Sequence, residues 1–225
     1  WDRGVLNATN KTYKNLQQSF CYDGLNRLTK TTQGSITPIC SGTQDQTYDS
    51  FGSIMSKNNV GTYVYNAARP HQLQSTSDGV AYSYDNVGNL TADTSGRALH
   101  YTVFDKPDVI TKGSNQIIFA YGPDRNYYKR VDTASGVTTT TYQIGNVEKV
   151  AKSDGSYDMK RYVAGVAIWN HHFNSANTQT SYDKQFIYKD ALGSIVLITD
   201  GVGAVKQQMA FNEWGERVNN TNWQT

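Results

Sequence analysis

No window of about eleven residues along the chain carries the 3.6-residue apolar period of an amphipathic helix. Apolar and polar residues alternate instead over short runs: TYVY, AYSYD, LHYTVF, QIIFAYG, YYKRVD, TTTTYQIG, VEKVAKS, DMKRYVAG, VAIWNHH, KQFIYKD, SIVLITD and AVKQQMAF. Each reads as a strand, rich in the β-branched and aromatic residues that fit a pleated surface. Between the runs stand SDG at Ser77 and Ser153, ASG at Ala134 and DGVG at Asp200, where hairpin turns belong. The pattern predicts an all-β chain: a continuous antiparallel meander of hairpins forming a curved sheet.

One turn recurs. Tyr84-Asp85 is followed by Gly88, and Tyr48-Asp49 by Gly52. Asp190 is followed by Gly193, and Phe211-Asn212 by Gly215. Tyr22-Asp23 has Asn26 in the glycine place, and Phe104-Asp105 opens a further copy, FDKPDVI. Asp or Asn at the first position and Gly at the fourth is the preference of a type I turn closed by a left-handed residue, which makes a three-residue hairpin loop with a bulge. A branched aliphatic stands five residues after the acid (Leu28, Ile54, Leu90, Ile110, Ile195), placed to pair across the strands with the preceding aromatic. The turns fall near 22–28, 48–54, 84–90, 104–110, 188–195 and 211–218, at intervals too irregular for a regular solenoid or propeller. The whole of 1–225 reads as one segment of such hairpins.

Composition sharpens this picture. Hydrophobic residues make up 37% of the 225 and mean hydropathy is −0.61, lean for two tightly stacked sheets; a curved sheet lining a space fits better. Sixteen Tyr against 7 Phe suit faces that are partly wet. The net charge of +2 with no basic stripe excludes the footprint of a nucleic-acid binder, and no apolar run approaches the ~18 residues of a membrane span. The chain opens WDRG and closes NNTNWQT, and is expected to be a fragment of a longer protein.

Candidate chemistry is sparse. G-x-S-x-G, G-x-G-x-x-G and P-loop patterns are absent, so neither a nucleophile elbow nor a cofactor is expected. Asp105, Asp108 and Asp124, and Asp183, Asp190 and Asp200, read as turn caps rather than acid–base pairs. His171 and His172 are adjacent and on a strand point to opposite faces, so they cannot share a metal; His71 reads as structural. Cys21 and Cys40 flank a predicted hairpin region and stand as two alternatives: a bridge, if their Cα atoms come within ~7 Å, or two separate thiols. Trp169, Trp214 and Trp223 are candidates for stacking on the apolar faces of sugars, with packing against the sheet as the competing role.

Taken in order, CYDGLNRLT, YDSFGSIMSK, GTYVY, RPHQL, YSYDNVGNLT, FDKPDVI, FAYGPDRNYYKR, TYQIGNVEKV, RYVAGVAIW, YKDALGSIVLITDGVGAV and FNEWGERV resemble the YD-repeat, or RHS-repeat, family in its C-terminal core region, over most of the chain. Ala191 stands where that family usually has His, and Asn212-Glu213 where it has Asp-Pro. The resemblance implies a non-enzymatic scaffold: part of a β-sheet that spirals into a hollow shell around a C-terminal polymorphic toxin carried on the same parent chain. Neighbouring shell segments and a component of a secretion system are the further partners it implies, with a secreted or cell-surface, bacterial setting. The family's aspartate-based self-cleavage maps onto no residue of 1–225. An extracellular adhesion or carbohydrate-binding module is the alternative.

Overall fold

A computed structural model describes residues 8, 10–13 and 16–219. The chain is all-β; among the described residues there is no helix, and so none able to cross a membrane, which says nothing of strands. By its internal contacts the chain divides into two compact units, residues 1–81 with 209–225, and residues 82–208.

The first unit contains β1 (Asn10–Tyr13), β2 (Leu16–Tyr22) and β3 (Leu28–Gln33) in a three-stranded sheet. A second sheet holds β4 (Gln46–Tyr48), β5 (Ile54–Lys57), β6 (Gly61–Asn66) and β7 (Arg69–Thr76). The segment after β3 does not return as a hairpin strand. It runs irregularly to residue 45 and is tied back by a disulfide from Cys40 to Cys21, with Cα atoms 5.4 Å apart. The most completely buried side chains of this unit are polar: Gln18, Ser19 and Gln46. Each has a partner, as buried polar groups must. Gln46 Nε2 donates to the Leu28 carbonyl at 2.7 Å, Ser19 Oγ to the Thr37 carbonyl at 3.2 Å, and Gln18 Nε2 approaches Glu213 Oε2 at 3.4 Å.

The second unit is a single sheet of 13 strands in strict sequence order. These are β8 (Tyr82–Tyr84), β9 (Leu90–Asp93), β10 (Arg97–Tyr101), β11 (Pro107–Lys112), β12 (Asn115–Tyr121), β13 (Tyr127–Ala134), β14 (Val137–Ile144), β15 (Val147–Lys152), β16 (Tyr157–Val163), β17 (Ala167–Phe173), β18 (Gln179–Lys189), β19 (Ile195–Asp200) and β20 (Val205–Gln208). Two short strands, β21 (Ala210–Phe211) and β22 (Arg217–Val218), then pair in the first unit. Every pairing is antiparallel and joins sequence neighbours. Among the described residues the buried apolar side chains are few, with only Ala167 and Ile187 in the large sheet. The strands are therefore held by lateral pairing far more than by a core between layers.

Candidate functional site

The recurrent turn is the unit from which the sheets are assembled. Asp23, Asp49, Asp85, Asp190 and Asp200 each donate their backbone N–H to the carbonyl four residues on and accept at their own carbonyl the N–H of the third. Asn212 does the same. The side chain completes the loop: Asp49 Oδ1 accepts the N–H groups of Phe51 at 2.9 Å and Ser53 at 2.8 Å. Asp190 Oδ1 takes Leu192 and Ser194, and Asn212 Oδ1 takes Trp214 and Glu216. The fourth residue is left-handed, with φ of 90° at Gly52, 103° at Gly88, 87° at Gly193 and 79° at Gly215, and 62° at Asn26. The N–H group of Arg27 first, then the Arg27 side chain and the N–H of Leu25, hold the Asp23 carboxyl below the usual carboxylate range against the opposing pull of desolvation. At Asp85 desolvation pulls upward, but Asn89, Gly88 and Val87 together hold the carboxyl low.

One turn sits elsewhere than its sequence suggests. Around FDKPDVI the turn-opening residue is Thr102, not Asp105: Thr102 N–H donates to the Lys106 carbonyl, Asp105 N–H to that of Thr102, and Asp105 is the left-handed fourth residue at φ 60°. Phe104 occupies the third place. Opening at Asp105 would put Pro107 third, a place proline disfavours in a type I turn because it drives the preceding residue out of the helical region. The aromatic that precedes this turn is Tyr101, which pairs with Pro107; Ile110 pairs with Leu99 and Ile117, not with Phe104. The same arrangement recurs at Gly122–Arg125, behind Tyr121, and at Asn174–Asn177, behind Phe173. Sequence reading missed both because neither opens with Asp. Tyr22 lies across from Leu28, Tyr48 from Ile54 and Tyr84 from Leu90, each at a bulge, and Phe211 from Arg217; at the turn after β18 it is Lys189, not Tyr188, that faces Ile195.

These aromatics tie one repeat to the next. Tyr48 Oη donates to the carbonyl of Leu28 at 2.7 Å, and Tyr121 Oη to that of Pro107 at 2.7 Å; in both the acceptor lies five residues past the opening of the preceding turn. Burial pushes the Tyr48, Tyr84 and Tyr121 phenols above their ordinary range. From the fifth position of one turn a long polar side chain reaches the next turn: Arg27 Nη1 to the Asp49 carbonyl at 3.1 Å, Asn89 Nδ2 to Asp105 Oδ1 at 3.0 Å, and Lys106 Nζ to the Arg125 carbonyl.

The two faces of the large sheet differ sharply. On one face of β15 to β20 runs a cross-strand polar ladder. Lys152 Nζ lies 3.2 Å from Asp158 Oδ2, His172 Nδ1 2.7 Å from Asp158 Oδ1, His172 Nε2 3.0 Å from Asp183 Oδ1, and Lys206 Nζ 3.4 Å from Asp183 Oδ2. With carboxylates at both ring nitrogens, His172 has its pKa raised above the ordinary imidazole range, and the bond to Asp183 leads that rise. Burial would raise the Asp183 carboxyl, but Gln185, His172 and Lys206 together bring it below its ordinary range. Asp183 is thus a mid-strand ladder residue rather than the turn cap its sequence suggested. Beside it Tyr162 donates to Glu148 Oε2 at 2.8 Å, and burial with that bond pushes its phenol up to about 12. His171 is on the opposite face, stacked on Tyr182. Among the described residues no group of three or more His, Cys, Asp or Glu side chains is placed to hold a metal.

A cleft of about 370 Å³ lies in the first unit, lined by Thr31, Asp45, Lys57, Asn58, Glu213 and Trp214 among others. Lys57 Nζ stands 4.1 Å from the centroid of the Trp214 ring, and Lys184 Nζ 5.3 Å from that of Trp169. Both indoles therefore already carry an ammonium on one face. Trp223 lies outside the described residues.

No family model matches the chain, and no curated protein matches it. Among solved structures it is similar to a Tc holotoxin pore of Photorhabdus luminescens with a mutated TccC3, at 15% identity and a TM-score of 0.46. That match covers 90% of this chain and 14% of the other. A TcdB2–TccC3 complex without its hypervariable C-terminal region is matched at 13% identity and a TM-score of 0.46, over 92% of this chain and 15% of that one. A TcdB2–TccC3–Cdc42 structure is matched at 16% identity and a TM-score of 0.44, over 90% and 15%. The chain thus spans about a seventh of the length of the structures it matches.

Proposed function

We propose that the chain is a non-enzymatic wall segment of a YD-repeat shell that encloses a toxin carried on its parent protein. The observation that carries this reading is the 13-stranded sheet in strict sequence order, with hardly any apolar residue buried between layers. An enzyme needs side chains from several elements to converge in a dry pocket. Here the polar side chains are spent on turns and on links between neighbouring strands, an arrangement suited to extending a surface by one hairpin at a time. Confinement would be the mechanism: a payload kept from solvent and from partners by the wall.

The test uses the parent protein. Intact mass spectrometry and limited proteolysis should find a separate C-terminal polypeptide that co-purifies with the repeat region and resists protease until the shell is opened. A parent with no such polypeptide, or one digested as fast as free protein, would refute the reading. A second reading, a carbohydrate-binding module, draws on the polar cleft beside Trp214. Glycan-array binding that disappears in Trp214→Ala would favour it.

A further inference from the structure

The face of the large sheet opposite the polar ladder has a composition of its own. Across β12 to β18 the cross-strand register aligns Ala120, Lys129, Tyr142, Lys149, Met159, His171 and Tyr182 in one row. The adjacent row on the same face is Ile144, Val147, Arg161, Trp169 and Lys184. Every carboxylate in these seven strands, Asp132, Glu148, Asp158 and Asp183, falls on the other face, where side-chain hydrogen bonds or ion pairs engage each of them. The face carrying Lys129, Lys149, Arg161 and Lys184 has no acidic residue at all.

These four cations are therefore uncompensated by any carboxylate of their own face. The Arg161 side chain makes no hydrogen bond or ion pair with the described residues. The lysines rest on rings: Lys129 5.7 Å from the centroid of Tyr142, Lys149 4.1 Å from Tyr157, and Lys184 5.3 Å from Trp169. Around them large apolar side chains are open, Ile144 at 64% exposure, Tyr182 at 56%, Tyr188 at 49% and Phe186 at 41%. Arg161, Val163 and Trp169 also border a shallow hollow of about 240 Å³. Cations set in exposed aromatic and aliphatic surface, with no counter-charge, mark a binding surface.

We propose that this face docks an acidic polypeptide segment in extended form, one that alternates carboxylate and apolar side chains. Charge complementarity sets the sign of the partner. Ring occupancy narrows its class. Tyr157 is stacked on Phe173 at 4.7 Å with Lys149 on it, and Trp169 holds Lys184, so these rings are not free platforms for sugars or bases. Four spaced cations on a chain of net charge +2 are too few for a phosphate backbone. An extended peptide repeats its side chains on one side about every 6.8 Å, which is also the separation of the two rows along the strands. A carboxylate at Lys149 and another two residues on would therefore come level with Arg161.

The inference stands whether or not the parent encloses a toxin, and it is tested on the chain alone. A fluorescein-labelled peptide of alternating Glu and Leu, followed by anisotropy, should bind and should weaken as salt rises. A peptide of alternating Lys and Leu should not bind. Lys149→Gln with Arg161→Gln should weaken binding roughly tenfold, the scale of interfacial charge pairs. Lys152→Gln with Lys160→Gln, on the other face, should leave it unchanged, and the near-ultraviolet circular dichroism of each variant reports folding. Equal loss from both pairs, no binding of the acidic peptide, or tighter binding to heparin, to single-stranded DNA or to phosphatidylserine vesicles than to the peptide would overturn the proposal.

Discussion

The two units use one turn and reach different kinds of stability. The first breaks its strands into sheets of three, four and two, buries glutamines and a serine, and staples an irregular segment with the Cys21–Cys40 disulfide. The second has no cysteine and runs unbroken through 13 strands. Within the second unit hairpin follows hairpin directly and the sheet stays unbroken. Where residues 34–45 intervene, pairing stops and a covalent link takes over its work.

The largest expected effect separates the units outright. Replacing Cys21 and Cys40 by Ser should cost the first unit roughly 3 kcal/mol, the chain-entropy value for a closed loop of this length. Hydrogen exchange should show faster opening in β2 and β3 and unchanged protection in β12 to β18. Equal loss in both units would mean that they unfold together. Next come the tyrosine links. Tyr121→Phe should cost about 1 kcal/mol, a net hydrogen bond. Tyr48→Phe should cost less, because the Leu28 carbonyl keeps its bond from Gln46. Urea unfolding of both variants checks the order.

A smaller change should move the second unit the other way. Ala164 is exposed and left-handed at φ 49°, and is followed by Gly165 in the tight turn between β16 and β17. Asn-Gly is the preferred pair for such a turn, so Ala164→Asn should stabilise by up to about 1 kcal/mol in a thermal melt. The subtlest prediction concerns pH and belongs to the second unit alone. The raised pKa of His172 means its contribution is complete below the unfolded value near 6.5 and is lost as pH rises through the folded value. Tyr162 contributes fully below about 10, and that contribution is lost as pH climbs toward about 12. His172→Gln should flatten the first dependence of the melting temperature and leave the second in place.

Much of the fold is legible in the chain because it is local. Tyr48-Asp49 with Gly52 and Tyr84-Asp85 with Gly88 announce their turns by residue type alone. The turn at Thr102 hides behind a stronger decoy: Phe104-Asp105 imitates the repeat, and only Pro107 and the hydrogen bonds reveal the true opening. Tyr121 and Phe173 were passed over because Gly122 and Asn174 open their turns without an Asp. The cleft at Trp214 and the ladder through His172 join residues far apart in sequence, and no local pattern places them together. The segregation of carboxylates was present as alternation within β13, β15, β16 and β18. It needed the cross-strand register to bring those alternations onto common faces.

A sheet in which every strand pairs only with its neighbours in sequence is also tolerant of changes in its own length. Losing one hairpin removes two strands, and the flanking strands meet again antiparallel with their faces preserved. Losing one residue from the middle of a strand turns the remainder of that strand over and places charge on the wrong side. Such a molecule can grow or shorten over evolutionary time in whole hairpins, while single-residue insertions are confined to the turns, the pattern of variation to look for among relatives of differing length.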